Sequence, residues 1–424
     1  MSLFALIITK NPKRQRNGKK RAKKNRYRVK TMKNVWIMIR KKEEKDMKCI
    51  INGRIVLPSS VISGMAIVFD RKIRAIVPQC EINIEEYEII DAKGNLLAPG
   101  LVDIHIHGYL GEDASDGKTE GLKKMAAGIA KNGVTSWCPT TMTMHRDVIM
   151  KAFDAARKVK AENECYGAKI LGINCEGPFI NPSKKGAQPE EFILPPDGDF
   201  IVDNADILKL FTVAPEMEGA LECIQKVHDD GRVLVSMGHT GASFDEANEG
   251  VKAGVRHVTH LFNAMTALQH RNPGVVGVAL SDERVSCELI ADTFHVNPGL
   301  YKLVAKAKGD KLCLITDCMR AGGMEDGDYT LGGQHVIKTG IKCLLEDGTI
   351  AGSVLELNAA VRNLKEHTEL SLPDVFACAS LNPAKVIGEA ERIGSLEVGK
   401  CADIIICDDN INVITTIIDG EIFE

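Results

Sequence analysis

Between residues 97 and 316 the chain alternates short apolar runs with stretches of helical period. The runs fall at 97–106, 134–140, 170–175, 211–214, 233–237, 257–261, 286–291 and 312–316. Segments that place apolar residues three and four apart lie between most of them, for instance 148–161, 220–228, 244–253 and 300–307. Strands buried on both faces read as continuous apolar runs, and helices between them supply the crossovers of a parallel sheet. Eight runs in this order predict an α/β fold, a (β/α)8 TIM-like barrel; seven strands are compatible with the same pattern.

The two ends of the chain follow a different rhythm. Short strands broken by turns are expected at 49–56, 65–70, 73–77 and 87–91, and again at 402–407 and 412–418. Two β segments at opposite ends can pair into one small sandwich and enclose the middle as an insertion. The organisation expected is a small β domain from residues 47–98 and 394–424 around a barrel of residues 99–393.

Charge sets residues 1–46 apart. They hold 17 Lys and Arg against 3 Asp and Glu, whereas the remainder holds 37 against 54. Such a composition builds no core and is read as a basic, disordered extension, with Met47 opening the first strand-like segment as a mature N-terminus would. Its other reading, contact with nucleic acid or an anionic surface through Lys19 to Lys24, rests on charge alone; no nucleic-acid partner is expected. Elsewhere, 44% hydrophobic and 26% charged residues suit a globular protein. No run reaches the length of a membrane span. The 13 cysteines are scattered without a C-x-x-C pair, which fits reduced thiols in the cytoplasm better than a disulfide framework.

Candidate chemistry gathers where runs end. His105 and His107, two apart on a strand, point to one face. Glu176, His239, His260 and Asp317 stand at or just after the ends of four other runs. In a barrel of this type the C-terminal strand ends converge on one mouth. Several imidazoles and carboxylates buried there are costly unless they share a cation, and this donor set suits zinc, iron or manganese.

The residues around these positions resemble a known family. Ala98-Pro99-Gly100-Leu101-Val102-Asp103-Ile104-His105-Ile106-His107-Gly108 is similar to the first metal motif of amidohydrolases. Glu176-Gly177-Pro178-Phe179, Lys184-Lys185-Gly186-Ala187-Gln188, Gly238-His239-Thr240 and His260-Leu261-Phe262-Asn263-Ala264-Met265 are more specific. Together with Gly352-Ser353 and Leu381-Asn382-Pro383-Ala384 they resemble the N-acetylglucosamine-6-phosphate deacetylases of that superfamily, from Cys49 to the C-terminus. The resemblance implies a barrel of the metal-dependent hydrolase type. It implies Glu176, His239 and His260 as ligands of a main metal, with His105 and His107 joining a shared Glu176 at a second, so one or two ions per subunit. Some relatives lack the His-x-His pair and carry a His where this chain has Gln188.

The chemistry implied is hydrolysis of an acetamide. A divalent cation lowers the pKa of its water towards about 7, and positive charge at the carbonyl oxygen stabilises the oxyanion. The family assigns Asp317 the proton transfers, as base and then acid. Asn263 and Ala264 are expected to meet the 6-phosphate, with Arg271 supplied by the neighbouring subunit of a homodimer. His295 matches a contact to sugar hydroxyls, and Ala187, Gln188, Ile350, Ala351 and Gly352 match other substrate-lining positions. The alternatives are another amidohydrolase, such as a dihydroorotase or a D-amino-acid deacylase, or a barrel that has lost its chemistry. A bridging carboxylated Lys, usual in the first group, has no counterpart here, since that strand offers Glu176.

Overall fold

In the computed structural model, residues 47–162 and 164–423 are described; the basic segment 1–46 lies outside them. Residues 48–82 and 89–424 form one compact unit, and residues 83–88 group apart from it with one 3-10 turn at Ile84–Glu86.

Eight parallel strands run in chain order around the barrel. They are β1 (Leu101–Ile106), β2 (Val134–Thr141), β3 (Ile173–Phe179), β4 (Leu208–Val213), β5 (Leu234–Met237), β6 (His257–Val258), β7 (Ser286–Ile290) and β8 (Leu312–Ile315). The first and last meet just beyond the end of β8. The Asp317 N–H donates to His105 O and the His107 N–H to Cys318 O, both at 2.9 Å. Nearly every strand residue is buried, which explains why the runs are apolar without alternation. Trp137, wholly buried on β2, still places its indole N–H on Ala168 O at 3.0 Å.

The helices between strands bury one stripe each. On Arg146–Ala161 the buried residues include Ile149, Ala152, Phe153, Ala156 and Val159, three and four apart. Phe244–Ala253 begins with a capping box of Ser243 and Glu246, a device worth about 1 kcal/mol. No helix among the described residues is long and apolar enough to cross a membrane.

Three departures from the sequence reading bear on the site. The run 97–106 is two strands: Leu96–Pro99 pairs with Arg54–Leu57 and Ile404–Cys407 in a six-stranded sheet, and the barrel begins only at Leu101. The chain crosses at Gly100, where a Cβ would lie 2.2 Å from Thr135 Oγ1. The run 170–175 likewise divides at Leu171 and Gly172, and β3 continues past Cys175 to Phe179, so Glu176 sits inside the strand rather than after it. A three-stranded antiparallel sheet, Gly327–Leu331, Gln334–Thr339 and Lys342–Leu344, follows β8 and had no counterpart among the expected elements. Its outer positions are polar and its strands are short, so its apolar signal is weak.

The six-stranded sheet orders Glu421–Phe423, Val413–Ile418, Ile404–Cys407, Leu96–Pro99, Arg54–Leu57 and Ser60–Ile62. Lys48–Ile51, Met65–Phe69 and Ile73–Pro78 pair beside one another in a second sheet. Ile50, Ile55, Phe69, Leu97, Ile404 and Ile417 fill the space between them, so both chain ends share one apolar core.

Candidate active site

The barrel mouth brings together residues from five strands. His105 and His107 lie at the end of β1, Glu176 on β3, His239 after β5, His260 after β6 and Asp317 after β8. His239, His260 and Asp317 adopt left-handed backbone, with φ of 46°, 28° and 50°. Non-glycine residues pay for that conformation with about 1 kcal/mol or more each, and strained backbone concentrates at functional sites. Gly352, at φ 67°, passes over Asp317, where a Cβ would stand 3.1 Å from its carbonyl oxygen.

Two groups of donors result: Glu176, His239 and His260 in one, His105, His107 and Asp317 in the other, with the donor atoms of each group within 4.8 Å of one another. Glu176 joins them. Its Oε1 lies 3.1 Å from His239 Nε2 and 2.9 Å from His260 Nε2, while Oε2 is 3.2 Å from His107 Nε2. Asp317 Oδ1 is 3.2 Å from His107 Nε2 and 3.5 Å from His105 Nε2. All six residues are buried.

The hydrogen bonds behind the rings fix their tautomers. His239 Nδ1 faces Lys184 O at 2.9 Å and His107 Nδ1 faces Thr140 O at 3.2 Å. A carbonyl only accepts, so each Nδ1 carries the proton, and a neutral ring turns its Nε2 lone pair on a carboxylate oxygen. At such distances either a proton on Nε2 or a shared cation must stand between ring and carboxylate. Electrostatics agree. Burial disfavours charge on His105, yet Glu288, Glu176 and Asp317 outweigh it and raise its pKa to about 9. His107 and His239 are raised for the same reason, burial being overcome by the carboxylates that face them. Burial likewise opposes ionisation of Glu176, but the surrounding imidazoles hold it well below the ordinary carboxylate range. Asp317 is held low by His107 and His105 against its own burial. The site therefore favours positive charge where the Nε2 atoms converge, and a donor set of imidazole and carboxylate fits a divalent metal.

A cavity of about 360 Å³ opens on this cluster. Of the residues expected to line it, Ala187, Gln188, Asn263, Ala264, His295, Ile350 and Gly352 do so. His295 is held by Asp292, with Nδ1 2.6 Å from Oδ2. Two expected positions lie elsewhere. Ala351 is fully buried and packs with Met319, Leu331 and Val336. Arg271 is exposed and outside the cavity of its own chain. Gln188 is present but occupied: its Nε2 donates to Glu176 Oε2 at 2.6 Å and its Oε1 accepts the Thr143 N–H at 2.7 Å.

Other participants escaped the sequence reading. The carbonyls of Thr140 and Lys184 orient imidazoles, and a backbone carbonyl leaves no mark on a sequence. Glu288 leaves one: it is a carboxylate in the middle of an apolar run, fully buried on β7 behind His105.

Residues 96–423 match the amidohydrolase family. The chain belongs to that family. Members of this amidohydrolase family are metal-dependent, which accords with the two donor groups. Within the family the chain is 40% identical over 376 residues to an N-acetylglucosamine-6-phosphate deacetylase of Bacillus subtilis (strain 168), covering 87% of this chain and 95% of that one. It is 36% identical over 338 residues to an N-acetylgalactosamine-6-phosphate deacetylase of Escherichia coli O157:H7, covering 79% and 89%. Among solved structures, the N-acetylglucosamine-6-phosphate deacetylase of Pasteurella multocida superposes with a TM-score of 0.85 at 31% identity, over 89% of this chain and 99% of that one. That of Mycobacterium smegmatis, a mutant in complex with N-acetyl-D-glucosamine 6-phosphate, gives 0.82 at 26% over the same shares.

Proposed function

We propose that this amidohydrolase removes the acetyl group of N-acetyl-D-glucosamine 6-phosphate, releasing D-glucosamine 6-phosphate and acetate, in amino-sugar catabolism and cell-wall sugar recycling. The observation that carries the reading is the convergence of Glu176, four imidazoles from three strand ends and Asp317 at one cavity of about 360 Å³.

Glu176, His239 and His260 would hold one divalent cation, and His105, His107 and Asp317 a second; zinc, iron and manganese all suit these donors. When bound, such ions supply an acidified water and positive charge for the carbonyl oxygen. Asp317 is the group that takes the proton of the attacking water and returns it to the departing nitrogen; its carboxylate is kept ionised by the facing imidazoles, as a base must be. Gln188 orients Glu176 through one amide N–H and keeps a second N–H at the cavity, while the intact His105 and His107 pair favours the two-ion reading. His295 offers Nε2 to sugar hydroxyls, since Asp292 occupies Nδ1. Asn263 and Ala264 meet the phosphate beside the site. The exposure of Arg271 supports its delivery to the phosphate of a second copy, hence a homodimer. Thirteen free cysteines, most of them buried, support a reducing, cytoplasmic setting.

Acetate release decides the matter. The chain should turn over N-acetylglucosamine 6-phosphate at least 100-fold faster than the unphosphorylated sugar, with no action on dihydroorotate. Chelation should abolish turnover and zinc or manganese restore it. Hydrolysis of dihydroorotate or of a D-amino-acid amide in its place would overturn the assignment.

A further inference from the structure

We infer that Glu288 is a positioning residue that governs occupancy of the second metal position, formed by His105, His107 and Asp317. The inference rests on the reading of the barrel mouth as a two-ion centre.

Four imidazoles face the cluster, and what stands behind each differs. His107 backs on the Thr140 carbonyl and His239 on the Lys184 carbonyl. His260 Nδ1 has no hydrogen-bond partner among the described residues. His105 alone backs on a carboxylate: its Nδ1 lies 2.9 Å from Glu288 Oε2. A carboxylate behind a ligating imidazole fixes the tautomer with the proton on the far nitrogen and raises the basicity of the near one. His105 is therefore the ring most strongly prepared as a donor, and its Nε2 is turned on Asp317 and Glu176, 3.5 Å from each.

Glu288 also touches the Glu176, His239 and His260 position, through the backbone of His260. The same Oε2 accepts the backbone N–H of His260 at 2.9 Å, at the residue whose φ is 28°. Its Oε1 faces His257 Nε2 at 3.1 Å, and His257 Nδ1 is held by Ser286 Oγ at 2.7 Å. Both oxygens are thus committed, and Glu288 is fully buried with no water-accessible edge. His105 and Glu288 lie 183 residues apart in the chain, so nothing local keeps them together. The extra carboxylate serves the His-x-His half of the site directly and touches the other half only through a main-chain N–H.

The test reads metal content and needs no substrate. Wild-type protein, dialysed against a zinc buffer, should carry two ions per chain by elemental analysis. Glu288→Gln should retain one, with affinity for the second lowered 10- to 100-fold in chelator competition. His105→Gln should do the same, and the double variant should lose no more than either single one. Because Glu288→Gln disturbs a buried network, Glu288→Asp provides the second arm. It keeps the charge but draws it back by one methylene, and should weaken the second ion at least tenfold while circular dichroism stays that of the wild type. One ion in the wild type, an unweakened second ion in Glu288→Asp, or equal loss of both ions in Glu288→Gln would each overturn the proposal. Absence of acetate release by wild-type protein carrying two ions would instead sink the deacetylase reading alone.

Discussion

Nε2 of His239 and Nε2 of His260 stand 3.1 Å apart, both turned on the single Oε1 of Glu176. The Nδ1 proton of His239 is committed to a carbonyl behind it. Three donor atoms converging on one buried point suit a shared cation, which would make the metal a structural partner as well as a chemical one.

Asp317→Asn removes the proton acceptor while leaving an oxygen facing His107. Turnover should fall by 10³-fold or more, with metal content at the Glu176, His239 and His260 position unchanged. Initial rates of acetate release and elemental analysis on one preparation check both halves. A rate within tenfold of wild type would remove Asp317 from the mechanism.

Gln188→Ala should act through Glu176. Without the Nε2 donor the Oε2 oxygen is freed to rotate, and metal affinity should fall about tenfold with a matching loss of kcat. A rise in KM with unchanged kcat and metal content would show instead that Gln188 serves the substrate.

Arg271→Ala should raise KM for the phosphosugar by about 10- to 100-fold and leave the slow turnover of the unphosphorylated sugar unmoved, since charge-assisted contacts of this kind are worth about 1.5–3 kcal/mol. Sedimentation of the wild type should give a dimer. A monomer with the same KM effect would mean that the loop bearing Arg271 folds back onto its own cavity.

Lys169 ties the barrel to the sheet of the chain ends. Its Nζ lies 2.8 Å from Asp403 and 2.6 Å from Asp419. Burial raises the pKa of Asp403 despite the ammonium, whereas Asp419, also opposed by burial, is held low chiefly by Lys169. Lys169→Met should cost on the order of 3 kcal/mol at pH 7, because it leaves buried Asp403 without a cation and Asp419 with only Arg71, 3.5 Å away. Without the cation both carboxyls shift upward, and a group whose folded pKa is raised loses stability as pH climbs through it. The deficit should therefore be largest near neutrality and shrink as pH falls towards about 4. Urea unfolding of both proteins across that range measures it; a deficit independent of pH would assign the loss to packing.

Much of this was legible beforehand because it is written in local chemistry. All eight barrel strands are buried on both faces, so each showed as an apolar run, and helix Phe244–Ala253 matched its predicted span to the residue because a capping box and Gly254 mark its ends. Glu176 lies inside its strand although the apolar run ends at Cys175, because Glu176, Gly177 and Pro178 continue the strand without an apolar signal. The sheet Gly327–Leu344 went unseen because its strands are short and half exposed.

The order of strands and helices, the identities of the polar residues at the barrel mouth and the kinship of the motifs were determined by the sequence alone, since periodicity and residue type act over a few positions. Which oxygen of Glu176 faces which imidazole, the tautomers imposed by Thr140 and Lys184, the carboxylate of Glu288 behind His105 and the exclusion of Arg271 from its own cavity were decided only by the tertiary structure. Those relations join residues tens to hundreds of positions apart, and closing the barrel is what sets their distances.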